Sequence, residues 1–210
     1  MSLHSKLAEA FGRGRPRRAR RQSQTDLTRL GNEHPEAEAG LAAALGFDWM
    51  RVDFALVISP GGELVDIDRP PWRPLGKRSV AAMFVPQRQL RTPGGFSGFL
   101  WGTSVHALGL QGNLGDVRPD LDAFNGFRIF HRAVLGNTRD PSLRAFMAFL
   151  NHWRPELAFA VPDLASLGAG AVVFRCQYDE QFLHETHAAR IIWRRLLNSS
   201  DALEEPGEAA

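Results

Sequence analysis

Residues 87–98 combine polar side chains that suit nucleic acids with glycines that give a ligand access to the backbone. The stretch reads QRQLRTPGGFSG, with the apolar run MFVP before it and FLW after it. Gln suits adenine edges, Arg suits guanine edges or phosphate, and Thr and Ser suit phosphate oxygens. Glycine lets a ligand approach the main chain closely. This chemistry matches a nucleic-acid-binding loop, and a solvated glycine-rich surface loop, which composition alone favours, is the open alternative.

The three large apolar residues that follow this stretch have a different role. We expect Phe99, Leu100 and Trp101 to anchor the loop to the core rather than to stack on bases, because large apolar side chains are usually buried. A loop that is fastened at both ends by apolar residues is more than a connection between two elements. The sequence therefore predicts a polar loop with fixed ends.

Signals for catalysis are weak elsewhere in the chain. The sequence contains no GxxxxGK[ST] phosphate loop and no GxSxG nucleophile motif. HETH, at 184–187, could place two imidazoles near one metal ion, but no third ligand is evident. Asp66 and Asp68 are two apart in a predicted strand, which permits a carboxylate pair, although such residues often serve turn geometry. We predict no catalytic residue, no metal and no cofactor.

Three further histidines are isolated among apolar residues, where we expect partly buried, hydrogen-bonded side chains without a catalytic partner. They are His106, His131 and His152.

Length and composition indicate one main domain without a membrane span. A chain of 210 residues with 44% hydrophobic residues can bury roughly 70% of the surface that its unfolded form exposes. Apolar runs such as FALVI, at 54–58, are far too short to cross a bilayer. Cys176 is the only cysteine, which excludes an internal disulfide and a cysteine-based zinc site. A soluble, cytoplasmic protein is expected.

The N-terminal segment carries most of the excess positive charge. Residues 1–40 hold eight basic and five acidic side chains, whereas the formal charge of the whole chain is +2. GRGRPRRARRQSQ, at 12–24, cannot bury an apolar face. We therefore predict a basic, largely disordered arm over 1–33 and an acidic disordered tail over 199–210. Phosphate contacts by the arm and a merely solvated arm are both open.

Between these termini the first half of the chain is rich in strand signals. HPEAEAGLAAALG, at 34–46, has Pro at the first helical position and a final Gly, which predicts a short helix. Strands are predicted at 52–58 and 63–67, joined by a PGG turn, and at 80–86. Three prolines predict a loop over 69–79.

The second half is mostly helical. Apolar spacing predicts helices over 121–136 and, after the cap Asp140, from Pro141 onward, and the short loop between them favours an antiparallel pair. A strand at 171–176 and a basic amphipathic helix at 187–197 follow. The fold class is therefore α+β: an antiparallel sheet with a hairpin, then a helix pair, then a returning strand and helix. Residues 34–198 form the single predicted domain.

Several sequence blocks, in order and at matching spacing, resemble a known family. They are FALVISPGGELVDI, VPQ at 85–87, Arg91-Thr92, FLW at 99–101, Leu108-Gly109, AFMAFLNHW, VVFR at 172–175, FLHE and HAARIIW. Over roughly residues 50–195 the chain is similar to the N-terminal part of the large subunit of type I-C CRISPR surveillance (Cascade) complexes.

This resemblance implies a non-catalytic, DNA-binding subunit of a ribonucleoprotein complex in antiviral defence. It would act near the protospacer-adjacent motif of target double-stranded DNA. Its implied partners are CRISPR RNA, the backbone subunits of the complex and a helicase-nuclease that the complex recruits. The resemblance carries over Gln87, Arg91 and Thr92 as nucleic-acid contacts. Local chemistry adds four more candidates, which are Lys77, Arg78, Arg88 and Ser97.

The chain departs from this family at the polar positions around FLW. Family members have Asn before the block and Asp-Asn after it, where this chain has Gly98, Gly102 and Thr103. The chain is also shorter than members of the family, so a truncation, a fragment and a compact variant are all open. Two other functions stay open: a stand-alone nucleic-acid or partner-binding protein, and a small metal-dependent hydrolase built on HETH and the Asp66 to Asp68 pair.

Overall fold

The computed structural model of the chain describes residues 46–70, 73–75, 78–80, 82–87, 90–92, 95–112, 116–161, 164 and 170–204. The basic arm, all but the last residue of the helix predicted at 34–46, and the tail beyond residue 204 lie outside these residues. The domain boundaries given above therefore stay predictions.

Twelve strands lie in the described part of the chain, most of them short. In chain order they are β1 (Phe47–Arg51), β2 (Phe54–Ile58), β3 (Leu64–Asp68), β4 (Arg73–Leu75), β5 (Arg78–Val80), β6 (Ala82–Pro86), β7 (Leu90–Thr92), β8 (Gly95–Ser97), β9 (Trp101–Thr103), β10 (Leu110–Gln111), β11 (Arg118–Pro119) and β12 (Ala171–Cys176). The helices are α1 (Ser104–Leu108), α2 (Leu121–Leu135), α3 (Pro141–His152) and α4 (His187–Glu204), with 3₁₀ turns at Pro155–Ala160 and Leu183–Glu185.

The main sheet has four strands in the order β3-β2-β12-β9. Every residue of β2 is buried, because helix residues pack on one face of the middle strands, while Met83 and Val85 of β6 pack on the other face. The outer pairs are antiparallel, whereas β2 and β12 run parallel, with Val172 opposite Phe54. A parallel pair needs a long crossover, and the helix pair lies within that connection. The predicted α+β class is confirmed, and its sheet contains one parallel pair.

Two segments that were predicted as loops contain short antiparallel ribbons. In the 69–79 segment β4 pairs with β5, so the prediction of a loop there was wrong. Proline is compatible with this ribbon because each of its strands is an edge strand, in which alternate N–H groups point away from the partner strand and make no ladder bond. In the glycine-rich stretch β7 pairs with β8. That stretch is therefore a hairpin rather than an irregular loop.

The hairpin predicted at 52–67 is confirmed as β2 and β3. Its turn is closed by the N–H of Gly62, which donates to the carbonyl of Ser59 at 2.9 Å. Gly62 has a φ of +81°, in the left-handed region. A Cβ built on it would overlap the backbone nitrogen of Phe149 and lie 2.7 Å from the Cβ of Ala148. The turn therefore packs directly on the backbone of α3.

We expect Gly62→Ala to lower the free energy of unfolding by at least about 1 to 2 kcal/mol, the cost of the left-handed backbone alone. The overlap with α3 adds to this cost. Gly61→Ala is the matched control, because a Cβ there would meet only the Ser59 hydroxyl, at 3.6 Å. Urea unfolding measures the free energy of unfolding of both variants. Equal stability of the two would contradict the close packing of the Gly62 turn on α3.

The helix pair begins as the sequence predicts. The Asp140 carboxylate accepts from the N–H of Leu143 at 3.0 Å and caps α3. The α2 and α3 helices pack through Phe127 and Phe146, whose ring centroids are 6.3 Å apart. The helix that was predicted over 187–197 continues to Glu204. No helix in the described part of the chain is both long and apolar enough to span a membrane.

Candidate nucleic-acid interface

The polar segment, defined here as residues 87–98, leaves the sheet region at a fixed point. Strand β6 pairs with β1, and its last residue, Pro86, stands opposite Phe47 and is buried. The N–H of Gln87 then donates to the carbonyl of Gly46 at 2.9 Å. The first residue of the polar segment is therefore held by the chain just before β1.

The polar segment returns to the protein through the apolar block that follows it. Phe99 and Leu100 are fully buried, and Trp101 is 7% exposed. Phe99 stacks on Trp193 of α4, with ring centroids 5.7 Å apart and an interplanar angle of 14°. The prediction that these three residues are core anchors is confirmed.

A buried hydrogen bond joins the residues that flank the polar segment. The indole N–H of Trp101 donates to the carbonyl of Pro86, and this bond is buried. Trp101 also lies in a small apolar cluster with Met83 and Val85 of β6 and with Val173 of β12. The residues before and after the polar segment are thus tied together at its base.

The glycines that replace polar residues of the resembled family have packing roles here. A Cβ on Gly98 would overlap the Trp101 indole ring. A Cβ on Gly102 would lie 3.3 Å from the Phe127 ring, closer than ordinary contact. The backbone approaches these rings so closely that a side chain at Gly98 has no room. A polar side chain at Gly98 would therefore collide with the Trp101 ring, whose indole bonds to Pro86 across the base of the polar segment.

His131 holds the backbone between the anchors. Leu100 has a φ of +61° and is the only non-glycine residue with positive φ in the described part of the chain. Its N–H donates to Nε2 of His131 at 3.0 Å, while Nδ1 of His131 donates to the carbonyl of Phe127 at 2.9 Å. Both ring nitrogens are used, so the imidazole is neutral with its proton on Nδ1. Complete burial lowers the pKa of His131 to about 3.

The middle of the polar segment forms the β7–β8 hairpin. Leu90 stands opposite Ser97, Arg91 opposite Phe96 and Thr92 opposite Gly95. The hairpin lies alongside α2, which also carries His131. The polar residues are thus presented on a short ribbon that is supported by a helix, rather than on an irregular loop.

The structure brings together four of the seven candidate contacts. Gln87, Arg91, Thr92 and Ser97 belong to this one segment, at its first residue and on its two strands. Arg78 lies on β5, in a different ribbon. The other two candidates, Lys77 and Arg88, lie outside the described residues.

The alternative catalytic groups have different environments in the structure. Asp68 forms an ion pair with Arg175 of β12, which links the edge strand β3 to the middle of the sheet. His184 is buried whereas His187 is exposed. In the described ranges no group of three or more metal-ligating side chains is present. Of these positions, Asp68 contributes to the cohesion of the sheet.

The three isolated histidines have three different environments. His131 is fully buried and bonded, as expected. His106 lies 3.0 Å from the Thr103 hydroxyl, and partial burial lowers its pKa, an effect that Asp120 opposes. His152 is exposed at the end of α3, so its predicted burial was wrong. The link from His131 to Leu100 had no sequence signal, because it joins residues 31 apart through a backbone amide.

Comparison with known proteins identifies the family. A search of curated proteins gave no match. The model of the family described as CRISPR-associated protein (Cas_Csd1) matches residues 27–208, most of the chain, including the polar segment and its anchors. The chain therefore belongs to the Cas_Csd1 family of CRISPR-associated proteins.

Proposed function

We propose that this protein is a non-catalytic subunit of a type I-C-like CRISPR RNA-guided surveillance complex, and that its polar segment contacts duplex DNA near the protospacer-adjacent motif. Membership of a CRISPR-associated family supports a role in a CRISPR system. In such a complex the guide RNA reads most of the target sequence, and the protein reads only a short duplex motif and the shape of the backbone.

The observation that carries this proposal is the tied base of the polar segment. The Trp101 indole bonds to the Pro86 carbonyl, and His131 holds Leu100 from the other side. A ribbon with fixed ends loses less conformational freedom on binding than a free loop does, so more of its contact energy appears as affinity. The same ribbon carries Arg91 and Thr92.

The proposed partners are CRISPR RNA, the backbone subunits of the complex and target DNA, with a helicase-nuclease recruited later. Co-expression with candidate backbone subunits and a CRISPR RNA tests this directly. We expect the chain to co-purify with both the subunits and the RNA. The Gln87, Arg91 double alanine variant should co-purify equally, because these residues are assigned to DNA contacts and not to assembly. Recovery of the wild-type chain without subunits and RNA would contradict the proposal.

Single substitutions separate phosphate contacts from base contacts. We expect Arg91→Ala to weaken binding of the assembled complex by roughly 1.5 to 3 kcal/mol, the range for a hydrogen bond to a charged group such as phosphate. A phosphate contact weakens all duplexes alike, whereas a base contact weakens the cognate motif most. We expect the uniform pattern for Arg91→Ala and a motif-selective loss for Gln87→Ala. Mobility shift at fixed salt, with cognate and mutated motifs, measures both.

Arg139→Ala is the matched control for this series. Arg139 is an exposed arginine in the loop before α3, so the change in charge is the same. Its affinity for every duplex should stay close to that of the wild type. An equal loss in Arg139→Ala and Arg91→Ala would show that net charge, and not the polar segment, determines binding.

A further inference from the structure

The outer face of α4 carries a group of exposed arginines that the proposed function does not use. Arg190, Arg194 and Arg195 are all exposed on this helix; around its axis Arg194 lies roughly 40° from Arg190, and Arg195 lies roughly 100° further. They span about 8 Å along the helix axis, at 1.5 Å per residue. We call these three residues the arginine stripe.

No carboxylate neutralises the arginine stripe in the part of the chain that the structure describes. The ion pairs of Arg51 with Asp53 and of Arg175 with Asp68 involve other elements. The sequence has no acidic residue between Glu185 and Asp201, so no acid lies one helical turn from any of the three arginines. Their guanidinium groups face solvent with their full positive charge.

This arrangement opposes the stability of the helix. Arg190 and Arg194 are four residues apart, where like charges repel each other. Arg190 also lies in the first turn of α4, where the helix dipole disfavours positive charge. A helix face that served only solubility would gain from acids at these spacings. The stripe therefore fits an external polyanion better than it fits a solvated surface.

Less exposed residues of α4 support both ends of the polar segment. Trp193 stacks on Phe99 at the return of the segment. Gly46, whose carbonyl accepts from the N–H of Gln87, lies against α4, since a Cβ there would be 3.1 Å from Leu197. The arginine stripe is thus on the outer side of the helix that anchors the proposed DNA-reading element.

We propose that the arginine stripe binds the sugar-phosphate backbone of a nucleic acid, independently of sequence. This inference rests on the proposed nucleic-acid role and extends it to a second surface. Duplex DNA carries one phosphate per about 1.7 Å of axis, so several phosphates lie within reach of an 8 Å stripe. Phosphate is common to DNA and RNA, and the test uses both.

The salt dependence of binding tests this proposal. The full-length chain and its Arg190→Gln, Arg194→Gln, Arg195→Gln triple variant are titrated at several salt concentrations with a 30-base-pair duplex DNA and with a single-stranded RNA of equal length. Loss of three phosphate contacts should reduce the slope of log K against log salt by about 2.7 on the duplex, or by about 2.1 on the single strand. The probe on which the loss reaches its own expected value identifies the backbone bound.

Two control variants separate the effect of the three stripe positions on the salt slope from the effects of total charge and of guanidinium geometry. The Arg118→Gln, Arg139→Gln, Arg144→Gln triple removes the same charge from exposed residues on three separate elements, and its slope should match the wild type. Lysine at the three stripe positions keeps the charge and should keep the slope. All of these variants should melt within a few degrees of the wild type, because the altered side chains are exposed.

Three results would overturn the proposal. They are an unchanged slope in the stripe triple, an equal loss in both glutamine triples, and no binding of either probe by the wild-type chain at low salt. A stripe triple that keeps its slope but no longer co-purifies with the backbone subunits would assign this face to an acidic protein instead. Failure of the proposed function gives a different result from failure of this inference. The chain would not assemble with its partners, or its motif discrimination would not depend on Gln87 and Arg91, while the stripe triple would still lower the salt slope.

Discussion

Trp101→Ala should lower the free energy of unfolding by about 3 to 5 kcal/mol, the range for truncation of a buried tryptophan. Trp101 fills the space between β6 and β12, and its indole makes the buried bond to Pro86. The melting temperature should fall accordingly, by about 2 to 4 °C for each kcal/mol in a chain of this size. Thermal melting with and without DNA measures the effect, which should be the same in both.

Trp101→Phe separates the packing of this side chain from its hydrogen bond. Phenylalanine keeps much of the apolar contact with Met83, Val85 and Val173 but leaves the Pro86 carbonyl without the indole donor. An unsatisfied buried acceptor costs about 1 to 3 kcal/mol, so an intermediate loss is expected. A Trp101→Ala variant that melts with the wild type would show that the base of the polar segment is not held in this way.

The second large effect is a loss of folding stability at acid pH that arises from the burial of His131. The pKa of this histidine is about 3 in the folded protein, because burial disfavours the imidazolium. In the unfolded chain its pKa returns to about 6.5. Between these values the unfolded state binds a proton that the folded state does not, so its contribution to stability is present above pH 6.5 and is lost as the pH falls. Between pH 7 and pH 4 the loss is about 3 kcal/mol.

A variant without the titrating group isolates this contribution from that of the carboxylates. Glutamine at position 131 can accept from Leu100 and does not ionise, so His131→Gln should lack the histidine part of the acid destabilisation. Urea unfolding at pH 7, 6, 5 and 4 should give a wild-type free energy that falls more steeply than that of His131→Gln. Parallel curves would mean that His131 is not buried as the neutral imidazole.

Elements with local signals could be predicted from the sequence. The cap Asp140 followed by Pro141 marked the start of α3, PGG marked the turn of the first hairpin, and AVVFRC marked β12. The pairing partners could not be predicted. Strand β2 pairs with β12, more than 100 residues away, and β1 pairs with β6 although four other strands lie between them in the chain. Such partners are chosen by the packing of the whole core, and local propensity carries no information about them.

The candidate site likewise has parts that the local sequence predicts and parts that depend on tertiary packing. Composition identified the polar residues, and their apolar flanks predicted the anchors Phe99 and Leu100. The bond from Trp101 to Pro86, the overlap that excludes a side chain at Gly98, and the support of Leu100 by His131 depend on tertiary geometry. A histidine that accepts from a distant backbone amide leaves no pattern in the sequence.

The central claim is that the polar segment is the DNA-contacting element of a CRISPR assembly. Mobility shift of the assembled complex carrying Gln87→Ala and Arg91→Ala together, at fixed salt, on cognate and mutated duplexes, tests it most directly. We predict lower affinity for all duplexes and a smaller preference for the cognate motif, with a melting temperature close to that of the wild type. Full affinity and full discrimination in this double variant would contradict the claim.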